Sequence, residues 1–320
     1  MTAFRIALAA TSALLLQQPV LAQDYPTKPI RLIIPFAAGG GSDVQGRTIA
    51  EKMTSDLGQP MFIDNRAGAG GALGASVVSH SPGDGYTLMF TNNAHAILPN
   101  LQKTDWDPLK DFKAVACAVT FTTVILVNAN SPIKTLPELI AAAKAKPGKL
   151  TYGSSGIGGP LHLAMEMFRA AAGIDLIHVP YKGNAPMTTA LLSNEIDMSL
   201  DTFGVSLPQI KAGKFRALAV TSPQRSSLLP NVPTVSEIAV PGFEYEGWSA
   251  FFAPASTPAP VVARLSNSIG KAMAMPPVQQ RLLELGYDSK FLTPEQTTAL
   301  VTRDLQRYRK IIQDNNIKAE

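Results

Sequence analysis

Two glycine-rich stretches, each placed between a strand-like and a helix-like segment, are the parts of the chain best suited to chemistry. The first runs AAGGGSD from Ala37 to Asp43, and the second runs GSSGIGGP from Gly153 to Pro160. Glycine lets backbone N–H groups approach a ligand closely, and a helix N-terminus offers about four unpaired N–H donors with roughly half a positive charge. Each stretch could bind an anion, although each could also be a tight turn between a strand and a helix.

These stretches partly match several nucleotide-binding and catalytic motifs, but each motif lacks a required residue. Residues 41–48 (GSDVQGRT) approach a Walker A motif, yet Arg47 replaces the required lysine. Val44 stands at the third glycine of a dinucleotide fingerprint, and Ile157 at the final glycine of a nucleophile elbow. The four histidines show no metal-ligand spacing, and no nucleophile–base pair emerges. We therefore expect binding rather than catalysis, with no metal and no cofactor.

Length and composition fit a two-domain globular protein. The chain has 320 residues, 46% hydrophobic and 16% charged, with a net charge of +4. That mild basicity suits an anionic ligand, whereas no Lys and Arg cluster with interleaved aromatic residues indicates nucleic acid. The single cysteine, Cys117, excludes an intramolecular disulfide, and we expect it to be a small buried strand residue.

The first 22 residues have the layout of a secretory signal peptide. Arg5 precedes an apolar stretch from Ile6 to Leu16, and small residues end at Ala22. The apolar stretch is shorter than the about 20 residues that cross a bilayer. No cysteine follows the predicted cleavage point, so we expect no lipid anchor. The sequence predicts cleavage after Ala22 and a soluble, exported mature protein.

Strand-like and helix-like segments alternate along the mature chain, which predicts an α/β fold with mainly parallel sheets. In such sheets ligands bind outside the carboxyl ends of the strands, where both glycine stretches would lie. Two such stretches facing each other would grip one small anion from both sides. This coincidence favours anion binding over two unrelated tight turns.

Two further strand-like stretches, near Val127 and near Trp248, lie where the chain could leave one lobe and later return to it. Two adjacent crossings of this kind would form a hinge beside a cleft. We therefore predict lobe 1 over residues 23–126 and 247–320, and lobe 2 over residues 127–246. We leave open whether the final helix packs on lobe 1 or on lobe 2.

Eight segments occur in a characteristic order: YPTKPIRLIIPFAAGGGSDVQGR, NRAGAGGALGA, PGDGYTLMF, DPLKDF, LTYGSSGIGGPLHLAMEMF, VPYKGNAPMTTALL, LPQIKAGKFRALAVTS and WSAFFAPASTP. Together they resemble the Bug family, the extracytoplasmic receptors of tripartite tricarboxylate transporters. The resemblance covers nearly the whole mature chain from about Tyr25. It implies a two-lobed periplasmic binding protein of the Venus-flytrap, type II-like kind. Each lobe would be a mainly parallel sheet flanked by helices, and the lobes would close on a small carboxylate.

The resemblance also implies ligand contacts in several places. The first loop would anchor the carboxylate, largely through backbone groups, and the second loop would face it from lobe 2. A polar segment after a strand of lobe 1, a tyrosine near the cleft and an acid at a strand end would complete the site. These residues are Phe36, Ala37, Ala38, Gly39, Gly40 and Ser42, then Ser154, Ser155, Gly156 and Ile157, then Thr91, Asn92, Asn93 and His95, and finally Tyr181 and Asp201.

The partners implied by the resemblance are the membrane subunits of a tripartite tricarboxylate-type transporter, with the receptor in the periplasm. We expect a monomer. Two other functions stay open at this point: a receptor that reports to a sensor kinase, and an exported hydrolase or isomerase acting on a carboxylate. The latter would need a general base within reach of the ligand. The sequence does not identify the carboxylate, and Leu200-Asp201-Thr202 departs from the family's common Phe-Asp-Asn.

Overall fold

The computed structural model describes residues 25–181 and 183–318, so the predicted signal peptide and its cleavage point after Ala22 lie outside the described residues. The strands are β1 (Ile30–Ile34), β2 (Met61–Asn65), β3 (Thr87–Asn92), β4 (Phe112–Asn128), β5 (Thr151–Ser154), β6 (Ile177–Pro180), β7 (Met198–Thr202), β8 (Phe215–Val220), β9 (Glu246–Pro254) and β10 (Asp288–Leu292). The helices are α1 (Gly41–Leu57), α2 (Ala72–Ser79), α3 (Ala94–Leu101), α4 (Leu136–Ala145), α5 (Pro160–Ala172), α6 (Asn184–Leu192), α7 (Phe203–Lys211), α8 (Val235–Ile238), α9 (Ala259–Met273), α10 (Pro276–Glu284) and α11 (Pro294–Asp314).

The long strand β4 connects two sheets. Its first part pairs antiparallel with β9 and β10, and the sheet continues from β9 through β3 and β1 to β2. Its last part pairs antiparallel with β7 and β8, and the second sheet continues from β7 through β5 to β6. The β1–β2, β1–β3, β5–β6 and β5–β7 pairs are all parallel. The predicted α/β class, with mainly parallel outer strands, is therefore confirmed.

The pairing partners of β4 change in the middle of the strand. Thr122 is the last residue that pairs with β9, and Thr123 is the first that pairs with β7. The chain returns to the first sheet where β9 begins, at Glu246. We propose two lobes on this basis, with the first crossing four residues before the boundary expected after residue 126. Within one continuous strand, such a change of partners is not visible in the sequence.

Helix α1 shows how the sequence fixes an element that carries the site. Its buried stripe contains Ile49, Ala50, Met53 and Leu57, at the spacing of one helix face. These residues pack into a core with β1, β3, β9, α9 and α10. Gly58 ends the helix in the left-handed region, at φ 69°. The N-terminal end of α1 is thereby held at the carboxyl end of β1.

The final helix, α11, contacts strand β9 and, at its C-terminal end, helix α5. From the first lobe, the Trp248 indole donates to Asp304 Oδ2 at 2.8 Å. From the second lobe, Arg169 Nη2 donates to Asn315 Oδ1, just past the helix, at 2.8 Å. Within the described residues, no helix combines the length and apolar character needed to cross a membrane.

Candidate functional site

Two adjoining cavities, of about 650 and 720 Å³, lie between the two glycine stretches. Both are lined by Phe36, Asn92, Ser155, Pro160 and Asn184, so we treat them as one cleft. The remaining lining residues are Gly39, Gly40, Gly41, Ser42, Gln45, Ala69, Gly70, Ala94, Ile97, Leu98, Leu101, Gln102, Phe121, Ile157, Gly158, Gly159, Leu161, Gly183, Ala185, Thr202, Val205, Ser249 and Tyr287.

Hydrogen bonds to the Asp43 side chain stabilise the first glycine stretch. Its Oδ2 accepts from the Gly39 N–H at 2.8 Å and from Arg47 Nε at 2.9 Å, and its Oδ1 accepts from Asn65 Nδ2 at 2.9 Å. Burial alone would raise the pKa of Asp43, but the hydrogen bonds, led by Arg47, outweigh burial and lower it. The Gly39 N–H is therefore occupied, and the next donors at the start of α1 belong to Gly41 and Ser42.

Four helices have their N-termini at the cleft, and none of them is capped by a side chain. Helices α1, α5, α6 and α7 have no side-chain hydrogen bond at their caps, which are Gly40, Gly159, Gly183 and Thr202. Away from the cleft, threonine hydroxyls cap α4, α8 and α11, at Thr135, Thr234 and Thr293, whereas α9 and α10 also lack a side-chain cap. The helix ends at the cleft therefore offer N–H donors and partial positive charge to an anion.

None of the described residues that line the cleft has a charged side chain. Among them there is also no histidine, cysteine, aspartate, glutamate or lysine that could act as a general base. The polar lining consists of amides and hydroxyls, from Ser42, Gln45, Asn92, Gln102, Ser155, Asn184, Thr202, Ser249 and Tyr287. This lining can hold an anion through hydrogen bonds and helix dipoles.

The cleft brings together part of the site expected from the sequence. The lining residues among those expected are Phe36, Gly39, Gly40, Ser42, Asn92, Ser155 and Ile157. The structure does not place the other expected residues in the lining: Ala37, Ala38, Thr91, Asn93, His95, Ser154, Gly156, Tyr181 and Asp201. Ala37 and Ala38 lie in the first stretch but are exposed outside the cleft.

Most of the polar segment around β3 is buried and does not line the cleft. Thr91 is only 3% exposed and pairs with Ala250 of β9. His95 is stacked on Trp106 at 5.3 Å between ring centroids and packs edge-on against Phe112 at 4.8 Å. Burial lowers the pKa of His95 to about 4, so the ring is a neutral core residue. Of the four residues expected from this segment, Asn92 alone reaches the cleft, where its Nδ2 donates to Ser42 Oγ at 3.4 Å.

Asn93 lies in a buried contact between elements rather than in the cleft. Its Nδ2 donates to the hydroxyls of Tyr245 at 2.9 Å and of Tyr308 at 3.0 Å. The Tyr245 hydroxyl in turn donates to the carbonyl of Pro160, the first residue of α5, at 3.2 Å. Tyr245 therefore ties the end of β3 to the start of the helix that follows the second glycine stretch.

We expect Tyr245→Phe to lower the free energy of unfolding by about 1 kcal/mol, because the variant loses two buried hydrogen bonds while Asn93 keeps Tyr308. Urea denaturation of the two proteins measures the change. Tyr86→Phe is the control, because the Tyr86 hydroxyl contacts only the exposed Thr27 among the described residues. Equal losses in both variants would contradict a special role for Tyr245.

Asp201 is buried next to the cleft and accepts hydrogen bonds from two residues that line it. Only 1% of it is exposed, and its Oδ1 accepts from Asn184 Nδ2 at 2.5 Å and from the Thr202 N–H at 2.7 Å. Both donors belong to lining residues. Burial raises the pKa of Asp201 to about 7. The acid thus orients Asn184, while the ligand contact that the resemblance implies for Asp201 stays a prediction.

The second glycine stretch is also held by residues that do not line the cleft. Ser154 is fully buried; its Oγ accepts from the Gly156 N–H at 3.3 Å and lies 2.6 Å from His178 Nε2. The Tyr181 N–H donates to the Ser154 carbonyl at 2.9 Å. Ser155 and Ile157 are thereby turned toward the cleft.

Sequence reasoning missed several residues that the structure places in the cleft. Gln45 lies one turn after Ser42 on the same face of α1, and Ser249 is the register partner of Asn92. Gln45 Oε1 and Ser249 Oγ are both buried without a hydrogen-bond partner among the described residues. The helical spacing was a usable signal for Gln45. Ser249 depends on strand register, which the sequence does not show.

The chain matches the family model described as the tripartite tricarboxylate transporter family receptor over residues 46–317. Protein BugT of Bordetella pertussis is 32% identical over 303 residues, which are 94% of this chain and 93% of that protein. The solved structure of R. palustris Rpa4515 with adipate has a TM-score of 0.81 and 31% identity, covering 92% of this chain and 99% of that chain. MatC (Rpa3494) from Rhodopseudomonas palustris with bound malate has a TM-score of 0.76 and 29% identity, covering 90% and 100%.

The family model covers the second glycine stretch and begins three residues after the first, whereas BugT and the two solved structures match at least 90% of the chain. These similarities confirm the fold of a periplasmic binding protein and the resemblance seen in the ordered motifs. The chain belongs to the Bug family of tripartite tricarboxylate transporter receptors, whose members are solute-binding proteins.

Proposed function

We propose that this protein captures a small carboxylate in the cleft by hinge closure and delivers it to the membrane subunits of a tripartite tricarboxylate-type transporter, without catalysing a reaction. The observation that carries the proposal is the pair of glycine stretches with open helix N-termini on opposite walls of the cleft. The adipate and malate in the two related structures support a carboxylate as the ligand class.

The energetics of such a site are adequate without a cationic side chain. A hydrogen bond to a charged group contributes about 1.5–3 kcal/mol, and a helix dipole adds about 0.3–1 kcal/mol. A few of these reach the about 8 kcal/mol that corresponds to micromolar affinity. The absence of a general base among the described lining residues favours capture over hydrolysis or isomerisation.

Closure would occur where β4 changes sheets and β9 begins, because both crossings lie side by side there. A ligand bound to both walls shifts the equilibrium toward the closed form only by its differential affinity for that form. We further propose that the protein acts as a monomer in the periplasm, exported by the signal peptide expected over residues 1–22. Delivery and signalling to a sensor kinase differ in one respect: deletion would abolish uptake only in the first case.

A thermal-shift screen of the mature protein tests the proposal. We expect one or more small carboxylates, in a panel that includes adipate and malate, to raise the melting temperature. At a ligand concentration about 100 times the Kd the stabilisation is about 2.7 kcal/mol. The matched diamides are the controls, because they keep the carbon skeleton without the charge. Stabilisation by the diamides alone, or by no carboxylate, would contradict the proposal.

A further inference from the structure

Two histidines lie stacked behind the second glycine stretch, outside the cleft lining. The rings of His162, on α5, and His178, on β6, are nearly parallel, with centroids 3.9 Å apart and planes 8° apart. The Gly158 N–H donates to His162 Nδ1 at 2.9 Å. His178 Nε2 lies 2.6 Å from Ser154 Oγ. Each ring therefore contacts a different end of the stretch that carries Ser155 and Ile157 into the cleft.

The hydrogen bond from Gly158 requires a neutral His162 ring. Because the Gly158 N–H is a donor, His162 Nδ1 must present a lone pair. The Ser154 hydroxyl accepts from the Gly156 N–H at 3.3 Å and has two neighbours for its single proton, the Gly156 carbonyl at 3.1 Å and His178 Nε2 at 2.6 Å. His178 therefore pairs with Ser154 either as acceptor or as donor. A proton added to His162 Nδ1 would replace an attraction with two facing N–H groups.

We propose that His162 and His178 are positioning residues for ligand binding, which as a stacked neutral pair hold the second glycine stretch in its anion-binding conformation. The inference rests on the proposed function of the cleft. It assigns no ligand contact to either ring. The two side chains act through Gly158 and Ser154, which fix the path of the backbone between them.

The surroundings keep the pair neutral at physiological pH. Burial lowers the pKa of both rings, that of His178 to about 4 with a further lowering by His162. From β5, Tyr152 stacks on His178 at 4.8 Å, and its hydroxyl donates to Glu166 Oε1 at 2.6 Å.

The charged groups that face the pair come from α5 and the segment that follows it. Glu166 raises the pKa of both rings but is paired with Arg169 at 2.8 Å, and Arg169 lowers that of His162. Asp175 lies 3.5 Å from Arg169 on the far side. On the cleft side, the described lining residues carry no charge.

The sign of the pH effect follows from these depressed pKa values. Above about pH 6.5 the rings are neutral in every state, so the stretch is fully held. As the pH falls from about 6.5 toward about 4, protonation favours conformations in which the rings are released. Carboxylate affinity should therefore fall over that range more steeply than the titration of the ligand alone explains.

Replacement of His162 by asparagine and by leucine separates positioning from mere packing. Asparagine places an acceptor oxygen near the position of Nδ1 and does not titrate, whereas leucine fills space without an acceptor. With adipate as the probe in titration calorimetry at pH 7.5, we expect His162→Leu to weaken binding about tenfold, the equivalent of one hydrogen bond. We expect His162→Asn to stay within about threefold of the wild type and to lose part of the fall in affinity at low pH. Equal weakening by both variants, with an unchanged pH profile, would overturn the proposal.

A second measurement uses the wild-type protein without any ligand. Nitrogen-15 NMR of the imidazoles at pH 7.5 should show both rings neutral, with His162 protonated at Nε2. Exchange of the Gly158 amide should quicken as the pH is lowered toward 4, relative to the intrinsic rate of an exposed amide. A charged ring at neutral pH, or His162 protonated at Nδ1, would overturn the proposal. Failure of adipate and of every other carboxylate to bind would instead overturn the proposed function, while this second measurement still decides the role of the histidines.

Discussion

Replacing Gly40 with valine is expected to weaken carboxylate binding about 100-fold or more. Gly40 lines the cleft, and its φ of −73° is open to any residue. A Cβ there would meet only the Ala37 carbonyl oxygen, at 3.2 Å, which would have to shift slightly, and the branched side chain would occupy cleft volume. Loss of two charge-assisted hydrogen bonds at about 1.5 kcal/mol each gives about two orders of magnitude. Titration calorimetry with a carboxylate identified by the screen measures the change.

Ala38→Val is the matched control for Gly40→Val. It adds bulk to the same loop, two residues away, at an exposed position that does not line the cleft. We expect its affinity to stay close to that of the wild type. If the two variants lost affinity equally, or if Gly40→Val bound normally, the first glycine stretch would not be an anchor for the ligand.

Replacing Asp201 with asparagine is expected to raise the free energy of unfolding at pH 8 by a few kcal/mol. The amide keeps an acceptor oxygen for Asn184 and for the Thr202 N–H but carries no charge to bury. The pKa of the acid rises from 3.8 to about 7 on folding. At 1.36 kcal/mol per pKa unit, the charged form costs on the order of 4 kcal/mol.

The direction of this pH effect is set by the raised pKa. The native protein keeps the Asp201 proton that the unfolded chain releases near pH 4, so the stabilisation is fully present below pH 4. It is lost as the pH rises toward about 7. Urea unfolding of the wild type and of Asp201→Asn should therefore agree near pH 4 and diverge by pH 8.

Asp43→Asn provides the opposite control in the first lobe. Hydrogen bonds from Gly39, Arg47 and Asn65 lower the pKa of Asp43, so its charge stabilises the native state above its unfolded pKa. We expect this variant to be less stable than the wild type at pH 8. A constant difference between Asp201→Asn and the wild type across the pH range would show that folding does not raise the pKa of Asp201.

The anchoring loops could be read from the sequence because their chemistry is local. Three glycines after an apolar strand and before a helix predict where a backbone can approach an anion. Asp43, the last residue of the same stretch, accepts a hydrogen bond from the Gly39 N–H. The alternation of strands and helices likewise predicted the α/β fold, because the periods of 2 and 3.6 are visible along the chain.

The distal walls of the cleft could not be read in the same way, because they depend on contacts between distant segments. Asn92 and Thr91 are neighbours in sequence, but successive strand residues point to opposite faces, so only Asn92 reaches the cleft. His95 carries a polar ring whose site is decided by Trp106, Phe112 and Phe252 around it. Tyr287, the residue before β10, also lines the cleft. It lies over 200 residues after α1 in the sequence, yet its hydroxyl is beside Gly41.

A crystal structure of the mature protein with the carboxylate that gives the largest thermal shift tests the central claim most directly. We expect one carboxylate group of the ligand to lie between the N-terminus of α1, at Gly40 to Ser42, and the second glycine stretch, at Ser155 to Pro160. Backbone N–H groups should lie at hydrogen-bond distance from its oxygens, directly or through one water. A ligand bound elsewhere, with both stretches unoccupied and turned apart, would contradict the account.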